Sequence, residues 1–271
     1  MMFVLPAIVV SSVLDVASAP SAARASDPWS FARAVESPLL MRGVSTTHGT
    51  DPTEPVTRLE LTFDHQDRQN GVEADVCTAR FDLGLAEKLV FRFDAPFALV
   101  TPEGASSDQG LGDVRAQLGW RAFDEPTFSM FIGAAVIFDT ASEETLGEGK
   151  NQFVPYIAAS GGLPDIRSRV FEVFEHFSSF SGDHERGGIT ESKLQLHLMT
   201  NWTDAMWTQI GGSFFMDWLG GEHGGITVDA EVGIATSTDL AFWVRPGVGL
   251  VGDDVPGVYD WSVLVGVRWL F

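Results

Sequence analysis

The chain has 271 residues, of which 45% are hydrophobic, a net charge of −20 and one cysteine, Cys77. Such a charge repels nucleic acid, such an apolar content is wrong for a disordered chain, and a single cysteine leaves no internal disulfide. With 28 Gly and 20 Phe and little helical periodicity, the composition is that of a β-rich protein.

The first element is the apolar run 3–14, "FVLPAIVVSSVL", followed by the small residues "ASAPSAARA" at 17–25. It is too short to cross a membrane as a helix. It reads as a signal peptide ending at Ala25, although no Lys or Arg precedes the apolar run. Residues 26–55 lack strand patterning and form either a periplasmic linker or a plug in the lumen of a barrel built from residues 56–271. Trp29, Phe31, Leu39, Leu40 and Met41 give this segment something to bury, so ordered contact with the rest of the chain is expected.

From residue 56 onward, runs of about ten residues alternate in character and end in turns. Strands are expected near 56–65, 73–84, 89–100, 111–123, 128–139, 151–160, 166–178, 190–200, 205–218, 225–235, 240–251 and 259–271, about twelve in all. The connections alternate strictly. Short ones (85–88, 124–127, 161–165, 201–205, 236–239) alternate with longer, Gly-rich or acidic ones (66–72, 101–110, 140–150, 179–188, 220–225, 252–260). A soluble sandwich has no reason to do this. A transmembrane up-and-down barrel, with short periplasmic turns and longer outer loops, does.

The run "LVFRFDAPFALV" at 89–100 shows the second signal. Arg92 and Asp94 share one face, while Leu89, Phe91, Phe93, Phe97 and Leu99 share the other. The same parity recurs around Arg80 and Asp82, Asp113 to Arg121, Asp229 and Glu231, and Arg268. Aromatics gather at strand ends (Trp120, Trp207, Trp218, Trp261, Trp269 and Phe271), as interfacial girdles require. The apolar band would then face lipid and the charges a confined lumen. Cys77 falls on the apolar side. Two runs resist orientation: 128–138 is apolar on both faces, and in 167–179 Arg169 and Glu175 share a face with Phe171 and Phe177.

Several stretches carry a family resemblance: "GLGDVRAQLGWRAFDEP" (110–126), "GAAVIFDT" with "GEGKNQFVPYIAAS" (133–140 and 147–160), "FSGDHERGGITESKLQLHL" (180–198) and "RPGVGLVGDDVPGVYDWSVLVGVRWLF" (245–271). Over about residues 55–271 the chain resembles the transporter-like outer-membrane β-barrels labelled as components of phenol degradation. Its end, "WSVLVGVRWLF" with terminal Phe271, resembles the C-terminal strand that the outer-membrane barrel assembly machinery recognises. Where members carry "LPTGD" after the fifth strand, this chain has "IFDTAS". The resemblance implies a monomeric channel in the cell outer membrane, in contact with lipid and lipopolysaccharide, for passive passage or uptake of a small hydrophobic or aromatic solute.

The candidate site is the set of lumen-lining charges: Arg58, Glu60, Arg80, Asp82, Arg92, Asp94, Asp113, Arg115, Arg121, Lys193, Asp229, Glu231, Arg245 and Arg268. They act either as a selectivity zone or as a plug of paired side chains. The acidic loop residues lack EF-hand spacing and read as a solvated face, so neither metal nor cofactor is expected. A polar cluster at His176, Ser178 and Asp183 suggests an alternative, a lipid hydrolase, but no G-x-S-x-G elbow accompanies it, and the reading is of a non-enzyme. A soluble, lipocalin-like binder of apolar ligands is the other alternative, with the apolar face turned inward.

Overall fold

A computed structural model describes residues 47–68, 71–219, 223–252 and 255–271. The expected signal segment 1–25, residues 26–46, and Asp253 and Asp254 lie outside the described residues.

The strands are β1 (Arg58–Arg68), β2 (Val72–Ala86), β3 (Leu89–Thr101), β4 (Asp108–Leu111), β5 (Val114–Glu125), β6 (Phe128–Phe138), β7 (Lys150–Leu163), β8 (Ser168–Gly182), β9 (Thr190–Asn201), β10 (Met206–Asp217), β11 (His223–Ala235), β12 (Leu240–Val251) and β13 (Trp261–Leu270). Apart from β4 and β5, each pairs antiparallel with its neighbour in sequence, and β1 pairs with β13 to close the barrel. β4 and β5 both lie on β3 and are two halves of one spanning strand, so the barrel has twelve. The break has a local cause. Pro96 on β3 has no N–H to give to the ladder, and the facing chain parts at Gly112 and Asp113.

Short connections such as Glu87–Lys88 and Pro126–Thr127 fall at one end, together with the start of β1 and the end of β13. The longer ones, including 139–149 and 183–189, fall at the other. Two long-loop segments fold inward. Leu146 packs against Ala74, Ala98 and Val100, while Val255 and Val258 of the β12–β13 connection are themselves buried. Arg186 ties loops together by donating to the Gly147 carbonyl at 2.7 Å and to that of Glu144.

The apolar band is outside. Phe93, Phe97, Leu118, Ile132, Leu196, Ile210 and Val232 are all exposed, as is Cys77. The lipocalin-like alternative needs this face inward. Trp120, Trp202, Trp218 and Trp261 are exposed near strand ends. Trp207, expected in the girdle, is instead fully buried, because it shares the inward parity of Gln209 and Ser213 on β10. The two ambiguous runs also resolve. Ser129, Phe131 and Ala135 of β6 are buried, as are Phe171 and Glu175 of β8 beyond its first residue, Ser168, so both strands present apolar side chains to the lumen.

The two faces should respond differently to charge. Leu196→Arg, outward at mid-strand and 47% exposed, is expected to cost about 2–4 kcal/mol. The measurement is the temperature at which the folded band converts on an unheated detergent gel. Gln195→Arg, one residue away in the lumen wall, is expected to shift that temperature far less. Equal losses at both positions would contradict the assignment of faces.

Candidate functional site

The register of the closing strands arranges the interior charges in rows. Glu60 lies opposite Arg268 on one side and Arg80 on the other, and Arg80 lies opposite Asp94. The side chains meet accordingly: Arg268 Nε donates to Glu60 Oε2 at 2.6 Å, Arg80 Nη1 to Glu60 Oε1 at 3.4 Å, and Arg80 Nε to Asp94 Oδ1 at 2.7 Å. The next row runs Arg58, Asp82, Arg92. Asp82 forms an ion pair with Arg58, whose Nε lies 2.7 Å away, and accepts hydrogen bonds from Arg92 Nε and Nη2 at 2.7 and 2.9 Å. Opposite charges directly across neighbouring strands stabilise the pairing as well as each other. An Arg and an Asp sit inside a run of Phe because each completes a row of charges that continues across the neighbouring strands.

The opposite wall uses a different device. His197, Gly211 and Asp229 lie in register on β9, β10 and β11. Gly211 has no side chain, and a Cβ there would lie 2.1 Å from the His197 ring. The imidazole therefore reaches across the middle strand to Asp229, Nε2 to Oδ2 at 3.2 Å. Glu231, also buried, accepts from Trp207 Nε1 at 2.7 Å and from Arg245 Nε at 3.0 Å. Arg115 donates to Glu175 at 2.6 Å, spanning from β5 to β8.

Residues 47–56 lie across the short-turn end of this interior. Asp51 is buried. Its Oδ1 accepts from the Thr53 N–H and hydroxyl at 2.8 and 2.6 Å, and its Oδ2 from Ser160 Oγ at 2.8 Å and Arg169 Nη1 at 3.1 Å. The Thr53 and Ser129 hydroxyls are 2.6 Å apart. Arg268 Nη1 donates to the His48 carbonyl at 2.8 Å, and Arg58 donates to that of Gly49. The His48 ring stacks on Trp207 with centroids 4.9 Å apart. The segment is thus held by β1, β6, β7, β8, β10 and β13.

Above it lies a cavity of about 560 Å³, floored by Thr50 and Pro52. Eight basic residues line it (Arg58, Arg68, Arg80, Arg92, Arg115, Lys193, Arg245 and Arg268) against four acidic ones (Glu60, Asp64, Asp94 and Glu175). Eight of the seventeen Lys and Arg of a chain with net charge −20 therefore line one cavity. A second cavity of about 680 Å³ continues toward the long loops, sharing Asp64, Gln66, Arg68, Lys193, Gln195, Arg245 and Leu264 with the first. A third, of about 480 Å³, lies on the far side of residues 47–48 and is lined by Arg167, Arg169 and Asp204.

Of the charges named from sequence, Asp82 and Glu231 lie behind the wall, covered by their guanidinium partners, and Asp229 lines the second cavity. Two sit elsewhere. Asp113, at the β4–β5 break, takes the N–H groups of Thr140 and Ala141 on Oδ1 and of Glu148 on Oδ2, pinning the β6–β7 loop. Arg121 lies at the short-turn rim and pairs with Asp124 at 3.1 Å. Glu175, Arg169, His197 and Asp51 were not among those charges. The first two share one face of 167–179, but that run could not be oriented from sequence, and nothing local pointed to Asp51. His176 bonds Ser192 at 3.0 Å, not Ser178, which faces Thr190 in the register. Asp183 is in the following loop, accepting from the Glu185 N–H at 2.9 Å. Among the described residues no group of His, Cys, Asp and Glu is placed to hold a metal ion.

No protein-family model and no curated protein matches the chain. Solved structures do. An outer membrane channel from Pseudomonas putida F1 aligns with 80% of this chain and 96% of its own length at 14% identity, with a TM-score of 0.65. The NanC porin aligns over 78% and 98% at 8% identity and a TM-score of 0.57, and the KdgM porin over 79% and 99% at 13% identity and a TM-score of 0.52. The chain has the fold of outer-membrane channels and porins.

Proposed function

We propose that the protein is an outer-membrane channel for passive passage or uptake of a small solute, with residues 47–56 closing its periplasmic mouth. The observation that carries this is the pair of connected, charge-lined cavities inside a closed barrel whose apolar face is outside. The short-turn end is periplasmic and the long-loop end faces outward. The apolar band contacts lipid and lipopolysaccharide, and the C-terminal strand with Phe271 serves assembly. The family resemblance in the sequence, to barrels labelled as components of phenol degradation, supports a hydrophobic or aromatic solute. The lumen adds a demand of its own, since a wall rich in guanidinium groups favours a solute carrying negative charge or hydrogen-bond acceptors.

The test is fractionation followed by electrical recording. An outer-membrane protein whose mobility shifts on boiling, and which conducts in a planar bilayer, fits the proposal. A protein that stays in solution without detergent and shows no shift would overturn it.

The closure is expected to depend on pH through His48. Burial and the neighbouring Arg268 hold its pKa below the ordinary 6.5, while Asp204 opposes them weakly. A lowered value means that the seated segment prefers neutral imidazole. The His48 contribution to seating is therefore full above pH 6.5 and is lost as the pH falls through the lowered value. Open probability should rise on acidification, and His48→Phe, which keeps the stacking on Trp207, should flatten that response. A wild-type channel insensitive between neutral and mildly acidic pH would show that His48 does not contribute.

A further inference from the structure

Of the eight basic residues lining the first cavity, only Arg68 and Lys193 lack a carboxylate partner among the described residues, and of these two only Lys193 reaches a recess toward the long loops. Arg58, Arg80, Arg92, Arg115, Arg245 and Arg268 each hold a carboxylate within 3.4 Å. Lys193 lies directly between Glu175 on β8 and Phe215 on β10. Glu175 is engaged by Arg115 at 2.6 Å. The Lys193 Nζ instead sits over the Phe215 ring, 5.3 Å from its centroid. Among the described residues no carboxylate lies within ion-pair distance of it.

Its position is equally particular. Lys193 lines both connected lumen cavities and also this recess, of about 270 Å³, which adjoins the second of them toward the long loops. The recess has apolar walls from Ile137, Phe177, Phe215 and Met216, and Pro256 closes it. Gly257 lets the loop come down onto Phe215. Its φ is +83°, and a Cβ there would lie 2.7 Å from the ring. In liquid water the recess volume would hold about nine molecules, room for a single aromatic ring with its substituent. Glu148, Glu191 and Asp217 lie at the same recess. Their charge disfavours an anionic group at that end and leaves Lys193 as the place for one.

We infer that the recess and Lys193 form a solute-binding site for small aromatic monocarboxylates, with the ring against Phe177 and Phe215 and the carboxylate on the Lys193 ammonium. The inference rests on the channel reading and names its solute class. It requires an apolar body, one negative charge and no second one. An aromatic dicarboxylate would place its other charge against Glu148 and Glu191.

The test is calorimetric titration of the full-length protein in lipid nanodiscs with benzoate, terephthalate and benzyl alcohol. The variants are Lys193→Gln and Lys193→Arg, each checked for heat-modifiability. Benzoate should bind the wild-type protein, about tenfold more weakly to Lys193→Gln, with substantial recovery in Lys193→Arg. Terephthalate and benzyl alcohol should both bind more weakly than benzoate. Equal benzoate affinity in wild type and Lys193→Gln, or terephthalate binding as tightly as benzoate, overturns the site. Conductance of the same preparations is measured separately. Binding without conductance would sink the channel reading and keep the site, and conductance with no benzoate binding would do the reverse.

Discussion

Replacing Glu60 with Ala should destabilise the barrel by about 3–5 kcal/mol, seen as a fall in the temperature at which the folded band converts. Glu60 is only 4% exposed and joins Arg268 at 2.6 Å to Arg80 at 3.4 Å across three strands. Its removal leaves Arg268, itself buried, without its carboxylate, and places Arg58, Arg80 and Arg268 near one another with one fewer negative charge among them. Glu60 and Arg268 are themselves only 4% and 6% exposed, so water in the cavity replaces little of what the carboxylate supplied to Arg268. Removing both Glu60 and Arg268 should cost less than the sum of the single losses, since the two act as a unit. A loss below about 1 kcal/mol, the size of an exposed ion pair, would show that the row adds little to barrel stability.

Removing residues 47–53 should raise single-channel conductance severalfold and leave the barrel heat-modifiable. The contacts between barrel and segment are hydrogen bonds and stacking at the lumen wall, whereas the strand ladder closes through β1 and β13 without them. A milder change tests the same closure. Asp51→Ala takes away the carboxylate that holds Thr53, Ser160 and Arg169 together. Loss of a buried charge partner costs about 3 kcal/mol or more, so the ratio of closed to open channel should fall by about a hundredfold. If the deletion conducts no better than the wild type, the barrier lies elsewhere, and the inward-folded Leu146 and Val255–Val258 segments become the place to look.

The barrel was legible because a spanning strand must satisfy two local rules at once: about ten residues in length, and apolar on every second side chain. Both survive in one dimension, so the twelve strands and the alternation of short and long connections could be read from 56–271. The two strands that could not be oriented were those whose inward face is apolar. Phe131 and Ala135 on β6, and Phe171 on β8, pack inside the lumen and erase the contrast between faces. Trp207 failed for a related reason. A Trp near a strand end suggests a membrane girdle, but parity alone decides which side it takes, and on β10 that side is inward.

What the sequence determined by itself is therefore the periodic part: the all-β class, the strand number, the alternation of short and long connections and the parity of the charged residues on the regular strands. The tertiary structure alone decided what those charges do. Glu60 meets Arg268 across 208 positions of chain, Asp51 meets Arg169 across 118, and His197 reaches Asp229 only because Gly211 leaves a gap in the strand between them. Register and closure set these meetings, and both depend on every strand at once. No local pattern carries that information, so residues 26–55 could be named only as a linker or a plug, and the contacts of His48, Gly49, Asp51 and Thr53 with the lumen wall come from the closed barrel alone.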